Sequence, residues 1–220
     1  MTQFLLIRHA TNDYVKTGRL AGWTPEVHLN DQGRTEADAL GARLATARLT
    51  AVYSSPLERA METAQAVAEP HGLEVQVCEE VGEVRYGEWT GKKLRQLSRT
   101  RLWKVVQGYP SGARFPGGES IREAQARAVG GLECLAERHP RGRVAVVAHS
   151  DIIKLMLAHY AGMPLDMFQR LSIDPASLSV VWLGRMGPRI ALVNDTSHYR
   201  NREKKKDEDQ PSTDKGRAEA

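Results

Sequence analysis

Two histidines of this sequence stand directly after short apolar segments, at the positions where buried strands would end. Residues 4–7 (FLLI) run into Arg8 and His9, and residues 144–148 (VAVVA) run into His149. Four or five apolar residues in succession are typical of a strand buried on both faces. Because α/β folds place their chemistry beyond the carboxyl ends of such strands, we expect the two histidines to meet at one edge of one sheet.

Two further charged residues fit the same edge. Arg59 follows a third predicted strand, residues 51–54, in the first turn of a helix whose N-cap we predict to be Ser55. Glu83 lies in a glycine-rich loop at residues 81–91. Two arginines and two histidines in one pocket suit a dianion such as a phosphoryl group, since the guanidinium presents paired donors to phosphate oxygens.

This set of groups also has the chemistry for phosphoryl transfer. An imidazole flanked by permanent cations stays neutral and nucleophilic near pH 7. A carboxylic acid on a separate loop is suited to protonate the leaving oxygen. No Cys or His cluster has metal-ligand spacing, so we predict no metal site.

Several segments carry a family resemblance when they are taken in order. They are residues 7–10 (IRHA), 54–60 (SSPLERA), 82–83 (GE), 87–91 (GEWTG), 116–120 (PGGES) and 147–149 (VAH). From about residue 3 to 198 the chain resembles the histidine phosphatase superfamily, in its phosphoglycerate mutase-like branch. Residues 22–23 (GW), 115–120 (FPGGES) and 192–195 (LVND) are similar to a group of actinobacterial phosphomutases.

The resemblance implies a role for each matching residue. His9 would be the nucleophile that becomes phosphorylated, and Glu83 the general acid and then the base that activates water. Arg8, Arg59 and His149 would bind the phosphoryl oxygens, with His149 counted among the catalytic residues. The resemblance also implies a metal-independent enzyme without an organic cofactor.

The chain departs from the family pattern at two positions. The family usually has glycine after the nucleophile, where this chain has Ala10, which is harmless unless the site needs a positive φ. Many members have a phosphate-contacting asparagine where this chain has Val15, and we predict that Asn12 takes over that contact. Glu88 competes with Glu83 for the acid role, but Glu83 matches the family position.

Strands that alternate with helices predict an α/β fold, a three-layer sandwich with a mostly parallel central sheet flanked by helices. We assign residues 1–198 to one domain of this kind. Residues 199–220 are almost all polar or charged, with acidic and basic residues in similar number, and are predicted to be a disordered tail.

Composition narrows the functional classes. The formal net charge is +4 and the positive residues are spread along the chain, which argues against a nucleic-acid-binding protein. No apolar run approaches the roughly 18 residues that span a bilayer, and no signal peptide is recognisable, so we expect a cytoplasmic protein without membrane contact. The sequence leaves a homodimer open.

Three functions are compatible with these residues. We favour a phosphate monoester hydrolase that acts on a small molecule, because only about 35 residues separate Glu83 from Gly118, and true mutases tend to carry a longer insertion there. A phosphoglycerate mutase-type phosphomutase is the first alternative. A non-catalytic phosphate-binding or scaffold protein is the second. The substrate is not named by any motif, although four cations could attract a second negative group, namely Arg85, Lys92, Lys93 and Arg114.

Overall fold

A computed structural model describes residues 1–199, and six strands and seven α-helices lie within them. The strands are β1 (Thr2–Arg8), β2 (Ala51–Ser54), β3 (Val75–Val77), β4 (Arg143–Ala148), β5 (Leu178–Leu183) and β6 (Arg189–Asp195). The helices are α1 (Asp13–Lys16), α2 (Asp31–Leu44), α3 (Glu58–Ala68), α4 (Leu94–Leu97), α5 (Arg101–Gly108), α6 (Ile121–Arg138) and α7 (Ser150–Tyr160).

The predicted charged tail falls outside the described residues except for Tyr199. The hydroxyl of Tyr199 donates to the Pro175 carbonyl at 3.0 Å, so this residue is attached to the domain.

The strands form one sheet in the order β3-β2-β4-β1-β5-β6. The four strands from β3 to β1 are parallel, whereas β5 is antiparallel to both β1 and β6. The predicted α/β sheet flanked by helices is therefore confirmed, as a mixed sheet in which β5 runs against its neighbours. This order makes β1 and β4 central neighbours, which decides where the site forms.

Alternate side chains of β1 pack into two separate cores, one on each face of the sheet. Phe4 and Leu6 belong to the core shared with α6 and α7, whereas Leu5 and Ile7 belong to the core shared with α2 and α3. Each fully buried aliphatic side chain contributes about 1.5–3 kcal/mol to the free energy of unfolding, so both faces anchor the strand. Within residues 1–199, none of the helices combines the length and apolar content needed to cross a bilayer.

Helix α2 packs directly against the segment that follows His9. Asn30 caps the helix by accepting from the Gly33 amide at 2.9 Å. A Cβ atom at Gly33 would lie 1.9 Å from the Thr11 carbonyl oxygen, so only glycine permits this approach. Glu36, one turn later, accepts from the amide of Thr11 at 2.9 Å and from its hydroxyl at 3.0 Å. Contacts of Gly33 and Glu36 with Thr11 therefore fix the loop after β1 against α2.

Candidate active site

The two predicted site histidines lie side by side at the carboxyl edge of the sheet. Arg8 pairs with Ala148 in the parallel register of β1 and β4, so His9 and His149 are the next residue on each chain segment. The His9 amide donates to the Ala148 carbonyl at 2.9 Å, which extends the ladder by one residue. The ring centroids are 5.2 Å apart, and both side chains are buried.

His9 is held in one tautomer. Its Nδ1 lies 2.8 Å from the Ala10 carbonyl oxygen, and because a carbonyl only accepts, Nδ1 carries the proton. Nε2 of the neutral ring therefore keeps its lone pair. Burial, followed by the charges of Arg59 and Arg8, holds the pKa of His9 well below its ordinary value of 6.5. The ring is thus neutral at physiological pH, with Nε2 able to attack an electrophile.

Ala10 fits behind His9 without a left-handed backbone. It is not among the residues of the described chain that combine a side chain with a positive φ. Its amide donates to the Thr63 hydroxyl at 3.0 Å, and its methyl group is fully buried. The site does not need glycine at this position.

Arg8 and Arg59 are each anchored by one backbone carbonyl and keep other donors unpaired. Arg8 Nη1 donates to the Ile173 carbonyl at 2.7 Å, and Arg59 Nη2 donates to the Gly22 carbonyl at 2.8 Å. Arg8 Nε and both Nε and Nη1 of Arg59 are buried without a hydrogen-bond partner in residues 1–199. Buried guanidinium donors of this kind are complementary to anionic oxygens.

Asn12 has one half of its side chain engaged and one half unpaired. Its Oδ1 caps α1 by accepting from the Val15 amide at 2.9 Å. Its Nδ2 is buried with no partner in the described chain, and the residue lines the same cavity as Arg8 and His9. The geometry thus leaves a donor, rather than an acceptor, for a bound anion.

His149 stands immediately before α7 and is its N-cap residue. Its Nε2 shares a hydrogen bond of 2.8 Å with the Ser55 hydroxyl. Ser55 therefore supports His149, and the prediction that it caps the next helix is wrong, because α3 begins at Glu58 with Leu57 as its N-cap. Burial, followed by the charge of Arg59, holds the pKa of His149 well below its ordinary value. The N-terminus of α7 adds a partial positive charge beside the ring.

Glu83 reaches the histidines from a loop. Its Oε2 lies 3.7 Å from His149 Nδ1, and its Oε1 accepts from the Val84 amide at 2.9 Å. The indole of Trp23 donates to the Glu83 carbonyl at 2.6 Å. Burial and then the charge of Asp151 raise the pKa of Glu83 from 4.5 to about 7, against the opposing charge of Arg59. The carboxyl group can therefore carry or release a proton near neutral pH. The competing Glu88 is exposed and does not line the cavity.

Two residues next to Glu83 were missed by sequence reasoning. The Tyr86 hydroxyl donates to Asp151 Oδ2 at 3.0 Å and lies 3.5 Å from Glu83 Oε1. Burial, followed by the charges of Asp151 and Glu83, raises the pKa of Tyr86 well above its ordinary value, so it stays a donor. Asp151 stands two residues after His149. This spacing is visible in the sequence, but it does not show that Asp151 lies beside Glu83 and Tyr86, because that depends on the orientation of α7.

These groups surround a cavity of about 430 Å³, whose lining includes Arg8, His9, Arg59 and Glu83. His149 is not among the lining residues. A larger cavity of about 830 Å³ lies around the turn between β5 and β6 and contains none of the predicted site residues. We therefore take the smaller cavity as the candidate active site. Within the described part of the chain, no three His, Cys, Asp or Glu side chains are grouped to hold a metal ion.

A family model for the histidine phosphatase superfamily (branch 1) matches residues 4–196. The chain belongs to this superfamily. The predicted family and the predicted type of enzyme, a histidine phosphatase, are confirmed. The narrower resemblance to actinobacterial phosphomutases stays a prediction.

Three relatives illustrate the range of the superfamily. Phosphoserine phosphatase 1 of Hydrogenobacter thermophilus is 30% identical over 203 residues, which cover 90% of this chain and 94% of that protein. Phosphoglycerate mutase-like protein 4 of Arabidopsis thaliana is 30% identical over 157 residues, covering 69% and 68% of the two chains. The solved structure of YhfR from Bacillus stearothermophilus has a TM-score of 0.85 at 26% identity, covering 90% and 99%. The histidine phosphatase fold thus extends over nearly all of the described residues.

Proposed function

We propose that this histidine phosphatase hydrolyses small phosphate monoesters through a phosphohistidine on His9. The observation that carries the proposal is the neutral Nε2 of His9 beside the unpaired donors of Arg8 and Arg59. Those donors, with His149 and Asn12 Nδ2, hold the phosphoryl oxygens and stabilise the charge that develops on them. The phosphatase-named relative that covers 90% of this chain supports the same reaction class.

The reaction takes two displacements. Nε2 of His9 attacks phosphorus, and the bond to the ester oxygen breaks while Glu83 gives its proton to that oxygen. Glu83, now a carboxylate, takes a proton from water, whose oxygen bonds to phosphorus as the bond to Nε2 breaks. Inorganic phosphate leaves, and Glu83 is protonated again. A pKa of about 7 suits both the acid and the base role.

The mutase reaction is the second candidate, and the mutase-like name of the Arabidopsis relative favours it. The access of water to the phosphohistidine decides between the two reactions. Two exposed residues, Arg19 and Gln107, line the cavity and connect it with solvent. The turn at residues 110–112 does not line it, since the Ser111 amide donates to Asp166 at 2.7 Å instead. The turn at residues 110–112 therefore does not close the cavity against water, and an open cavity supports hydrolysis.

The test compares the wild-type protein with His9→Ala and with His28→Ala, a control in which an exposed histidine outside the cavity is removed. With 4-nitrophenyl phosphate, we expect phosphate release and an acid-labile phosphoprotein in the wild type and the control. Both signals disappear in His9→Ala, because the variant has no replacement nucleophile. Persistent turnover in His9→Ala would remove His9 from the mechanism.

The same proteins are incubated with 3-phosphoglycerate while free phosphate and positional isomers are followed. We expect free phosphate to exceed isomerised product for whichever esters are turned over. Rapid isomerisation with little free phosphate would establish the mutase. The absence of both phosphoprotein and product from every ester tested would favour the non-catalytic alternative.

A further inference from the structure

Beyond the phosphoryl-binding groups, one wall of the cavity is apolar and rich in aromatic rings. It includes Leu20, Tyr86, Trp89, Trp103, Val106 and Phe115. The rings of Trp89 and Phe115 meet edge to face with centroids 5.3 Å apart, and Trp89 stacks on Trp103 at 6.2 Å. Such mutual packing fixes the wall in place. This surface is suited to an apolar or aromatic group on the alcohol side of the ester.

The cavity also contains a cation that the hydrolytic mechanism does not use. Lys154 projects from α7, and its side chain is 14% exposed. Its Nζ lies 3.3 Å from Asp151 Oδ1 and 3.2 Å from Gln169 Oε1, and all three residues line the cavity. These contacts are longer than the 2.7–2.9 Å that is usual for a charged hydrogen bond. An ammonium has three donors, so at least one remains for a ligand.

Gln169 strengthens this donor group. Because its Oε1 accepts from Lys154, its amide nitrogen is left as a further donor beside the ammonium. Asp151 offers Lys154 only one oxygen, at 3.3 Å, since its second oxygen accepts from the Tyr86 hydroxyl at 3.0 Å. A cation next to an amide donor recognises an anionic oxygen better than a neutral or cationic group.

The cations expected from the sequence to attract a second negative group do not face the cavity. Arg85, Lys92, Lys93 and Arg114 are absent from its lining. Arg85 instead stacks on the ring of Trp23, with 4.5 Å from its guanidinium carbon to the ring centroid. Arg19 does line the cavity, but it is exposed at the rim and donates to the Gly91 carbonyl. Lys154 is therefore the partly buried cation placed for this task in the described chain.

We propose that Lys154 determines substrate specificity, and that the preferred substrate is a phosphate monoester whose alcohol joins an apolar or aromatic body to an anionic group. The phosphoryl group occupies the His9 end, the body lies against the aromatic wall, and the anionic group accepts from Lys154 and Gln169. This inference rests on the hydrolytic function proposed above. It adds a second recognition point at the other end of the ester.

Two aryl phosphates test it, 4-(carboxymethyl)phenyl phosphate and 4-(carbamoylmethyl)phenyl phosphate. Their phenols are similar leaving groups in size and acidity, but only the first carries a negative charge away from phosphorus. We expect the wild-type kcat/KM to be about tenfold higher for the carboxylate, as for other charged hydrogen bonds in partly buried sites. A ratio near one or below it would overturn the proposal without any variant.

Three variants then locate the recognition. Lys154→Met should lower kcat/KM for the carboxylate substrate far more than for the amide, so that the ratio falls towards one, mainly through KM. Lys154→Arg should restore most of the ratio because it restores the charge. Lys104→Met removes an exposed lysine outside the cavity and should leave the ratio unchanged. A high ratio that survives Lys154→Met would place the recognition elsewhere and overturn the assignment.

Two further controls separate the possible failures. Phosphoserine has a charged alcohol without an apolar body, and a kcat/KM above that of the carboxylate aryl ester would overturn the role of the aromatic wall. Turnover of 4-nitrophenyl phosphate without turnover of either test ester would also overturn the inference while leaving the hydrolase intact. No turnover of 4-nitrophenyl phosphate would refute the proposed function itself, and the inference with it.

Discussion

The active site has two halves that are held in different ways. The sheet-edge half comprises Arg8, His9, Arg59 and His149. Arg8 ends β1, His9 and His149 directly follow β1 and β4, and Arg59 lies in the first turn of α3, which follows β2. The loop half is Glu83, which lies in no strand or helix. The His9 amide donates to the Ala148 carbonyl of β4, whereas the backbone carbonyls around Glu83 accept from the side chains of Trp23 and Arg127.

Arg127 of α6 is the main support of the loop half. Its Nη1 donates to the Glu80 carbonyl at 2.6 Å and to the Gly82 carbonyl at 3.1 Å. Its Nη2 donates to Glu119 Oε1 at 2.7 Å, and the same carboxylate accepts from the Arg85 amide at 2.9 Å. One guanidinium therefore ties the loop on both sides of Glu83 to α6.

This difference has a chemical consequence. In the proposed mechanism, phosphoryl binding and nucleophilic attack depend on residues at the ends of β1 and β4, which are buried on both faces. Proton transfer depends on Glu83, whose loop is tied to α6 by the side chain of Arg127. We therefore expect damage to the sheet-edge half to affect every substrate, and damage to the loop half to affect only substrates that need a proton on departure.

The largest effect is expected in the sheet-edge half. Arg59→Ala should lower kcat/KM for 4-nitrophenyl phosphate by about 10²–10³, because a donor to the developing charge is lost. The acidic limb of the pH profile should also move to higher pH, since Arg59 is one of the charges that lower the pKa of His9. Steady-state kinetics from pH 4 to 9 would measure both changes.

The control for that variant is Arg34→Ala. Arg34 is 59% exposed and pairs with Asp31 on the surface, an interaction that contributes little to stability. Its loss should leave kinetics and pH profile unchanged. If Arg59→Ala retained kcat/KM within tenfold of the wild type while remaining folded by circular dichroism, Arg59 would not be a phosphoryl-binding group.

A smaller and selective effect is expected in the loop half. Arg127→Met should lower kcat/KM for an alkyl phosphate such as propyl phosphate by about tenfold, because a displaced Glu83 no longer protonates the poor leaving group. The 4-nitrophenyl ester, whose phenolate leaves without a proton, should lose less than about twofold. The ratio of the two kcat/KM values measures the selectivity.

Arg114→Met is the matched control, because Arg114 is 60% exposed and pairs with Glu123, one turn before Arg127 on α6. It should leave the ratio of the two substrates unchanged. An equal loss on both substrates in Arg127→Met would show that Arg127 supports the whole domain rather than Glu83.

The two halves also differ in how far the sequence reveals them. Arg8, His9 and His149 could be placed together because each follows an apolar run, and the position of a strand end is encoded locally. For Glu83 the residues alone predict only a carboxylic acid on a separate loop, and the family resemblance prefers it over Glu88, since a glycine-rich loop has no periodicity from which its neighbours could be predicted. The Arg127 contacts join residues more than 40 positions apart, and no local pattern indicates them.

Helix α7 shows the same limit. Apolar residues at helical spacing predict a helix at about residues 151–160, and α7 confirms it. Asp151 and Lys154, however, acquire a role only when the rotation of the helix turns them towards the cavity. The apolar residues between positions 92 and 107 predict one helical region, but the structure has α4 and α5 there, because the Thr100 hydroxyl accepts from the Trp103 amide and starts a new helix. Side-chain capping decides such boundaries, and it depends on tertiary packing.

The smallest expected effect is on the pKa of Glu83, and it follows from a substitution of Asp151. Glu83 must be protonated to act as an acid, so kcat/KM for propyl phosphate should fall as the pH rises through its pKa of about 7. Asp151→Asn removes a negative charge that raises this pKa, and the alkaline limb should move to lower pH. The rate at pH 8 relative to pH 6 should drop roughly twofold to fivefold.

The acidic limb provides the internal control for Asp151→Asn. It reports the protonation of His9, whose pKa is lowered by burial and then by the charges of Arg59 and Arg8; Asp151 is not among the causes of this shift. It should therefore stay where it is, and the profile should narrow from the alkaline side alone. With 4-nitrophenyl phosphate, whose leaving group needs no proton, kcat/KM should show neither the alkaline limb nor its shift, because this constant reports only the steps up to the departure of the leaving group.

An alkaline limb that does not move with propyl phosphate would mean that Asp151 does not act on Glu83. A shift of both limbs would mean that the substitution disturbs the sheet-edge half as well, and the division of the site into two independently held halves would then be wrong.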